Sequence, residues 1–410
     1  MARSAKILVG RQEVDVHGGS ASASRVVLVG LLLAAAAGFP LLHLYHGGLN
    51  YWLHMILFAY MNIAVASSWN ILGGYAGYIS LGHNVFLAVG GYFSGILFAY
   101  FGISPFITTP LAGLAAMAVG FVVGTITLRT RGPTFIISTI ALVLVTKIAL
   151  DNWDYIGGAN GMSLALVPLP VEVVKLPFYY GMLIIAIGAV YLSFRIRRSK
   201  FGLGLRAISQ DEIRAEVAGI PTGFYKILAF ALSGMFVGMA GALWGYYLTF
   251  LRPTIFLSIL IGAKIVLMTI LGGRGTVAGP MVGAIVFVAA NEFFVAYFGA
   301  SELNIAATGV LLLLALLFFP AGIVGTLKQN GRLPKALAWD CGNSPSAGRS
   351  RGRDPGIAAR VVVDQSACSA NLIHRKARRH EGGRSCLGRA AVRGGSASRS
   401  GEGDHAWPPG

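Results

Sequence analysis

The sequence predicts an all-α fold: a polytopic integral-membrane helical bundle with 8–10 transmembrane helices, N-in and C-in, followed by a disordered C-terminal tail. Three observations predict it. Of the 410 residues, 55% are hydrophobic and only 12% charged, with a mean hydropathy of +0.68, well above the apolar share of a water-soluble domain. The apolar residues come in runs of about 17–25, the length a helix needs to cross a bilayer. Lysine and arginine are nearly excluded from those runs and collect in alternate connections.

Ten runs qualify, at 26–46, 51–72, 84–101, 107–128, 133–151, 178–194, 227–248, 255–273, 276–298 and 303–325. Some are short and broken by glycine and read as re-entrant, which sets the lower bound of 8. With both termini inside, the inner segments of residues 1–328 hold fifteen Lys or Arg, whereas the outer ones hold only Lys175 and Arg252. A missed span would scramble that division, so the frame is self-consistent.

Residues 1–25 form a polar, basic segment whose basic region is longer than that of a cleaved signal peptide, so the first helix is expected to be retained. Residues 26–328 make up the membrane domain. From Gln329 onward the chain is rich in Arg, Gly, Ser and Ala without periodicity, and carries fourteen basic against six acidic residues. This 329–410 segment reads either as a basic tail near the inner leaflet or as translation past a frameshift or a lost stop codon. The net charge of +17 is thereby divided between loops and tail, and nucleic acid is not needed to explain it. Cys341, Cys368 and Cys386 all fall in the tail without the close pairing of a zinc site.

Three ionisable residues fall inside spans. Lys147 is near the outer end of its run and can snorkel. Lys264 and Glu292 read as nearer mid-span, where a charge marks either a pathway or an ion pair between neighbouring helices. Glycine pairs at four-residue spacing, Gly120/Gly124, Gly234/Gly238 and Gly241/Gly245, predict close backbone packing.

Three connections stand out. GGYAGYISLGH at 73–83, with Gly73, Gly74, Gly77 and Gly82 around Ser80 and His83, is too rich in glycine for a regular helix and reads either as a broken or re-entrant segment facing a cavity or as a Gly-rich turn with helix-packing glycines. The outer loop after 151 carries a Gly157-Gly158-Ala159-Asn160-Gly161 turn and reads either as a surface for an external partner or as an ordinary connecting loop. The central loop 195–226 mixes seven Lys or Arg with Asp211, Glu212 and Glu216. Within it, 205–217 reads as one short amphipathic helix with Leu205, Ile208, Ile213 and Val217 on its apolar side, stopped by Gly219-Ile220-Pro221. Such a helix is either a docking surface for a soluble partner or a solvated basic loop.

No phosphate loop occurs, nor any Gly-Lys pair, so a nucleotide-driven process would rely on a partner for hydrolysis. His-Glu-x-x-His and Gly-x-Ser-x-Gly are absent as well, and the chain reads as a non-enzyme.

GYAGYISLGH at 74–83 with Phe86 and Gly90-Gly91-Tyr92, GGANGM at 157–162, RAISQDEIRAEVAGI at 206–220 and GGRGTVAGPMVGA at 272–284 resemble, in that order, the motifs of branched-chain amino acid ABC-transporter permeases of the LivM-like branch. The resemblance covers about residues 50–325. It implies that Arg206, Glu212, Ala215, Glu216 and Gly219 belong to a helix that inserts into an ATPase subunit, and that Gly74, Gly77, Ser80, Gly82 and His83 shape the translocation path. It also implies that Gly157, Gly158, Asn160 and Gly161 face a solute-binding protein. The expected partners are a second permease, two cytoplasmic ATPases that hold ATP and Mg, and an extracytoplasmic binding protein delivering a small apolar amino acid across an inner membrane. No cofactor is expected on this chain. Tyr78 departs from the usual Gln, and Gly91 from the usual Ala. Related permeases serve urea and short amides, and a secondary transporter coupled to ions through Lys264 and Glu292 is the rival reading.

Overall fold

The computed structural model describes residues 36–40, 50–130, 132–165, 174–299, five single positions between 303 and 317, and 322–329. Its long helices are α1 (Asn50–Asn70), α2 (His83–Phe101), α3 (Pro105–Thr127), α4 (Pro133–Asp151), α5 (Lys175–Arg198) and α8 (Thr222–Leu248). Between α5 and α8 lie two short helices, α6 (Lys200–Gln210) and α7 (Glu212–Val217). After α8 come a single turn α9 (Pro253–Phe256), then α10 (Ile259–Gly272), α11 (Ala278–Phe298) and α12 (Ile323–Gln329).

Eight of these helical stretches are long and apolar enough to cross a membrane. They coincide with the second to ninth runs read from the sequence; α1 continues through a wide helical turn, Ile71–Ala76, and α9 joins α10 as one span. The first and tenth runs, the 1–25 segment and the tail beyond Gln329 lie outside the described residues, apart from a helical stretch at 36–40 and isolated positions in the tenth. Several boundaries follow from local chemistry. Proline opens α3, α4 and α9, where its missing N–H costs nothing.

Helix α8 is the hub. A Cβ on Gly241 would collide with the Leu87 carbonyl of α2, and one on Gly90 of α2 with the backbone of Gly238. On the other flank Gly238 is closed by Ala116 and Gly113 of α3, and Gly120 of α3 lies against Ala231. The glycine pairs of α8 therefore serve both neighbours. In lipid, where apolar burial gives little net drive between helices, such close approach supplies dispersion contacts. Aromatic rings fill the core at the next level: Phe86 and Phe230 have centroids 5.0 Å apart, and His83 stands 5.6 Å from each. Facing outward, α3 and α4 present Ile107, Ile126, Ile137 and Ile148, each more than 60% exposed, as a lipid-facing surface requires.

The two ends of the bundle agree with the charge frame. At one end Lys226 reaches the Leu128 carbonyl and Arg197 reaches the Gly275 carbonyl, so three of the four connections assigned to the inner side between the described spans meet. At the other end a two-residue antiparallel clip joins β1 (Met162–Ser163) to β2 (Phe250–Leu251), Tyr100 stacks on Tyr155, and Lys175 donates to the Asn50 carbonyl.

The packing gives a direct expectation. Gly241→Val should destabilise the bundle by about 1–3 kcal/mol by overpacking the α2–α8 contact. Gly223→Ala, at an exposed helical position where a Cβ meets nothing within 4 Å, should be neutral or slightly stabilising. Unfolding of the detergent-solubilised protein by denaturing detergent checks both.

Candidate functional site

The inner connection between α5 and α8 is built by three capping residues. Arg195, Arg197 and Arg198 occupy the last turn of α5, where positive charge complements the helix dipole. Ser199 ends α5 and starts α6, its hydroxyl accepting from the Gly202 amide at 3.1 Å. Asp211 does the same for α7: its Oδ1 accepts from the amides of Ile213 and Arg214 at 3.0 and 3.1 Å, and Oδ2 pairs with Arg214 at 2.8 Å.

That cap corrects the single helix expected over 205–217. Asp211 takes an extended conformation, φ −161° and ψ 111°, because its short carboxylate competes with the helical backbone for nearby amides, and the chain turns there into a second helix. The apolar side splits accordingly. Leu205 and Ile208 on α6 are buried against the bundle, whereas Ile213 and Val217 on α7 are 64% and 85% exposed. The predicted stop holds. Gly219 adopts φ +86°, a left-handed conformation that lets the Ile220 amide donate back to the Ala215 carbonyl at 3.1 Å.

Of the five residues implied for coupling, Arg206, Glu216 and Gly219 are exposed, while Ala215 is buried and Glu212 points inward. The Glu212 carboxylate pairs with Lys226 Nζ at 2.6 Å, their side chains 12% and 5% exposed. Tyr78 OH donates to the other carboxylate oxygen. Lys226 also donates to Tyr78 OH and to the Leu128 carbonyl, each at 3.3 Å, and lies 5.0 Å over the Tyr78 ring. One charged knot therefore holds α7, α8, the end of α3 and the segment before α2. Both charges are desolvated, and their cost is offset because the ammonium and carboxylate are hydrogen-bonded as well as paired.

The 73–83 segment is broken, the first of the two readings of its glycines. After the turn Ile71–Ala76, Gly77 takes φ +80° and rests against Ser209 of α6; the chain then runs without helix to His83, where α2 begins. The freed backbone groups face protein: Trp69 Nε1 donates to the Ser80 carbonyl at 2.7 Å, the Leu81 amide to Thr139 Oγ1 at 3.2 Å, and the Gly82 amide to Ser80 Oγ at 3.2 Å. His83 is fully buried and its Nε2 shares a 2.9 Å hydrogen bond with Ser233. Ser233 is eleven residues into α8, so α2 starts about 16 Å from the inner end of that helix. Gly74 is pressed against Asn70, whose amide group brackets Gly275 and Thr276 through two 2.8 Å bonds. Of the five residues Ser80, Gly82 and His83 are buried, Gly74 is half-buried and Gly77 is exposed at the inner end.

At the outer end, Gly157 and Asn160 are exposed and Gly158 is buried beneath them, while Gly161 is seated on Leu251 and Arg252. Trp153 and Tyr155 stand exposed beside this turn, forming an aromatic ledge. The ion pair, one of the two readings of Lys264 and Glu292, is not formed. In the α10–α11 hairpin Gly272 abuts Gly279 and Gly283 abuts the Met268 carbonyl, a register that places Glu292 opposite residue 259, about 7 Å beyond Lys264. Glu292 instead accepts from Tyr51 OH, 3.0 Å away in the first turn of α1, so it belongs to the outer rim. Among the described residues no group of His, Cys, Asp and Glu is arranged to hold a metal.

Sequence reading missed the knot. Lys226 was one of seven basic residues of a loop, and nothing in the charge pattern distinguishes it except that an unbroken apolar run follows it. Tyr78, marked only as a departure, is its bridge.

Removing one partner of the pair should be costly: Lys226→Met or Glu212→Gln is expected to lose about 3–5 kcal/mol of stability, and the double substitution less than the sum. Asp211→Ala should cost about 1 kcal/mol by uncapping α7 while leaving the bundle folded. Denaturing-detergent titrations with a double-mutant cycle measure both.

Residues 51–319 match the model of the family described as branched-chain amino acid transport system, permease component. The chain is 26% identical over 299 residues to the high-affinity branched-chain amino acid transport system permease protein LivM of Escherichia coli K12, covering 66% of this chain and 69% of the relative. It is 28% identical over 177 residues to LivH of Salmonella typhimurium, covering 43% and 54%, and 25% identical over 307 residues to a probable LivM of Methanocaldococcus jannaschii, covering 63% and 89%. No solved structure matches it significantly. The eight membrane-crossing helices, the packed broken segment and the capped inner loop thus carry the sequence of a multi-pass membrane protein that belongs to the branched-chain amino acid transport permease family.

Proposed function

We infer that this chain is a permease subunit of an ATP-binding-cassette importer that moves branched-chain, apolar amino acids inward across the inner membrane. It works with a second permease, two cytoplasmic ATPases that hold ATP and Mg, and an extracytoplasmic solute-binding protein. The observation that carries the reading is α7. On the inner side, where water rather than lipid is the surroundings, Ile213 and Val217 stand exposed beside a shallow cleft of about 440 Å³ lined by Ala207, Gln210, Asp211, Arg214, Ala215, Ala218 and Ile220. Apolar knobs held out into water by a capped helix fit a groove on a soluble partner.

The same helix is rigidly joined to the membrane domain. Movement of a docked ATPase displaces α7; Glu212 in its first turn carries that displacement to Lys226 at the base of α8 and to Tyr78 in the broken segment. Because α8 is locked to α2 and α3 by backbone contact, it transmits a rigid-body tilt rather than a bend. The similarity to both LivM and LivH supports a pair of related permeases. On the outer side, the 157–161 turn and its aromatic ledge offer the binding protein a surface.

The test is purification of the detergent-solubilised complex from cells co-expressing the candidate ATPases. Wild type is expected to bring down an ATPase, and Glu216→Ala/Gly219→Pro to lose it while remaining monodisperse. Uptake in proteoliposomes should require internal ATP and survive collapse of the ion gradients. Absence of any ATPase from the wild-type complex, or uptake that follows the ion gradient alone, refutes the proposal.

A further inference from the structure

Arg195, Arg197 and Arg198 share the last turn of α5, but they are used differently. Arg197 turns into the protein, where its guanidinium donates to the Gly275 carbonyl. Arg195 and Arg198 stay exposed and end a single stripe. Ile184, Ile187, Tyr191, Arg195 and Arg198 follow one another at spacings of three and four residues and are all exposed, while Ala189, Ser193 and Ile196 between them are buried. At 1.5 Å per residue Ile184 lies about 14 Å from the outer end of α5 and Arg195 about 30 Å, so the apolar part of the stripe covers the inner half of the hydrocarbon layer and the arginines reach the inner headgroups.

These cations lack counter-charges. Neither α5 nor α6 contains an acidic residue, and among the described residues the nearby loop carboxylates Asp211 and Glu212 are taken by Arg214 and Lys226. Arg198 is braced by the Phe194 ring, 4.2 Å from its centroid. Arg206 folds back so that its Nη2 donates to the Arg197 carbonyl at 3.3 Å, and exposed Lys200 follows Arg198 by two residues. Like charges gathered at one helix end repel one another unless an anion sits among them. We propose that this stripe binds one anionic phospholipid of the inner leaflet, its phosphate between Arg195 and Arg198 and an acyl chain along Tyr191, Ile187 and Ile184. Two arginines three residues apart on a helix are neighbours, and each guanidinium can meet phosphate oxygens through two N–H groups. An acidic protein surface would answer the charges but not the apolar stripe that continues into the membrane; a neutral lipid would answer the stripe but not the charges. Ser199 joins α5 to α6 without a spacer, so a lipid held there also steadies the helix that leads into α7. The site lies apart from the coupling surface and does not depend on the importer reading.

The experiment mixes the full-length chain, purified in neutral detergent with whatever subunits accompany it, with equal amounts of phosphatidylglycerol and phosphatidylcholine of the same acyl chains, and counts bound lipids by native mass spectrometry. Wild type should retain phosphatidylglycerol in preference. Each arginine at an anionic headgroup strengthens binding about fivefold, so Arg195→Gln/Arg198→Gln should lower phosphatidylglycerol retention by roughly tenfold or more and leave phosphatidylcholine unchanged. The single variants should each lose about fivefold, which keeps the test open should the double variant fail to fold. Arg195→Lys/Arg198→Lys should keep most of the preference. Arg129→Gln/Arg274→Gln, which removes the same charge from exposed inner positions elsewhere, should change it by less than about twofold. Excess glycerol 3-phosphate should not displace the lipid, since it lacks the acyl chain. Four results each overturn the proposal: equal retention of the two lipids by wild type; equal losses in the two glutamine pairs, which would mean a diffuse inner-face charge; displacement by glycerol 3-phosphate, which would mean a soluble phosphate ligand; and loss of an accompanying permease from the Arg195/Arg198 variant, which would make the stripe a protein interface.

Discussion

Backbone contact along α8 is the constraint on which the rest of the structure depends. A broken segment is tolerated within a bilayer only where every freed amide and carbonyl finds a protein partner. Three of those groups have partners here, the Ser80 carbonyl on Trp69 and the Leu81 and Gly82 amides on Thr139 and Ser80, and Gly238 and Gly241 let α2 and α3 close onto α8, which brings Ser233 to His83 beside the rings of Phe86 and Phe230. With bulkier residues on α8 the same segment would expose unpaired polar groups to lipid.

The second organising feature is electrostatic and lies at the inner face. Lys226, Glu212 and Tyr78 come from three parts of the chain separated by as many as 148 residues, yet one ammonium, two carboxylate oxygens and one phenol oxygen meet. A buried ion pair of this kind is weak evidence for stability, because both charges lose their water. Its value lies in direction: the pair is satisfied in one arrangement of α7 on α8, which fixes the exposed surface of α7 against the base of that helix. A second tie, from Arg197 to the Gly275 carbonyl and from Asn70 to Gly275 and Thr276, joins α5 and α1 to the α10–α11 hairpin at the same face.

Eight of the ten expected spans, the break at 73–83 and the stop after α7 are found among the described residues and were legible in the sequence, because each follows from local chemistry: apolar length, glycine density and Gly-Ile-Pro. The errors share a cause. The helix expected over 205–217 divides because a carboxylate can cap as well as solvate, a choice made by the geometry of two nearby amides. Of the two readings of Lys264 and Glu292, the ion pair is not formed because hairpin register depends on how far Gly272 and Gly279 let two helices slide, which spacing in the chain does not encode.

By itself the sequence determined that this is a multi-span membrane protein with a basic, helix-bearing inner loop, since hydropathy and charge placement respond to the bilayer one segment at a time. Only the tertiary structure decided which of the loop's charges is buried and which helix reads it. Lys226 and Arg206 are equivalent as letters in a basic run, but one is enclosed by α3, α7 and the broken segment while the other stays in water. That difference is a matter of long-range packing, and the energy of a charge depends on the groups folded around it.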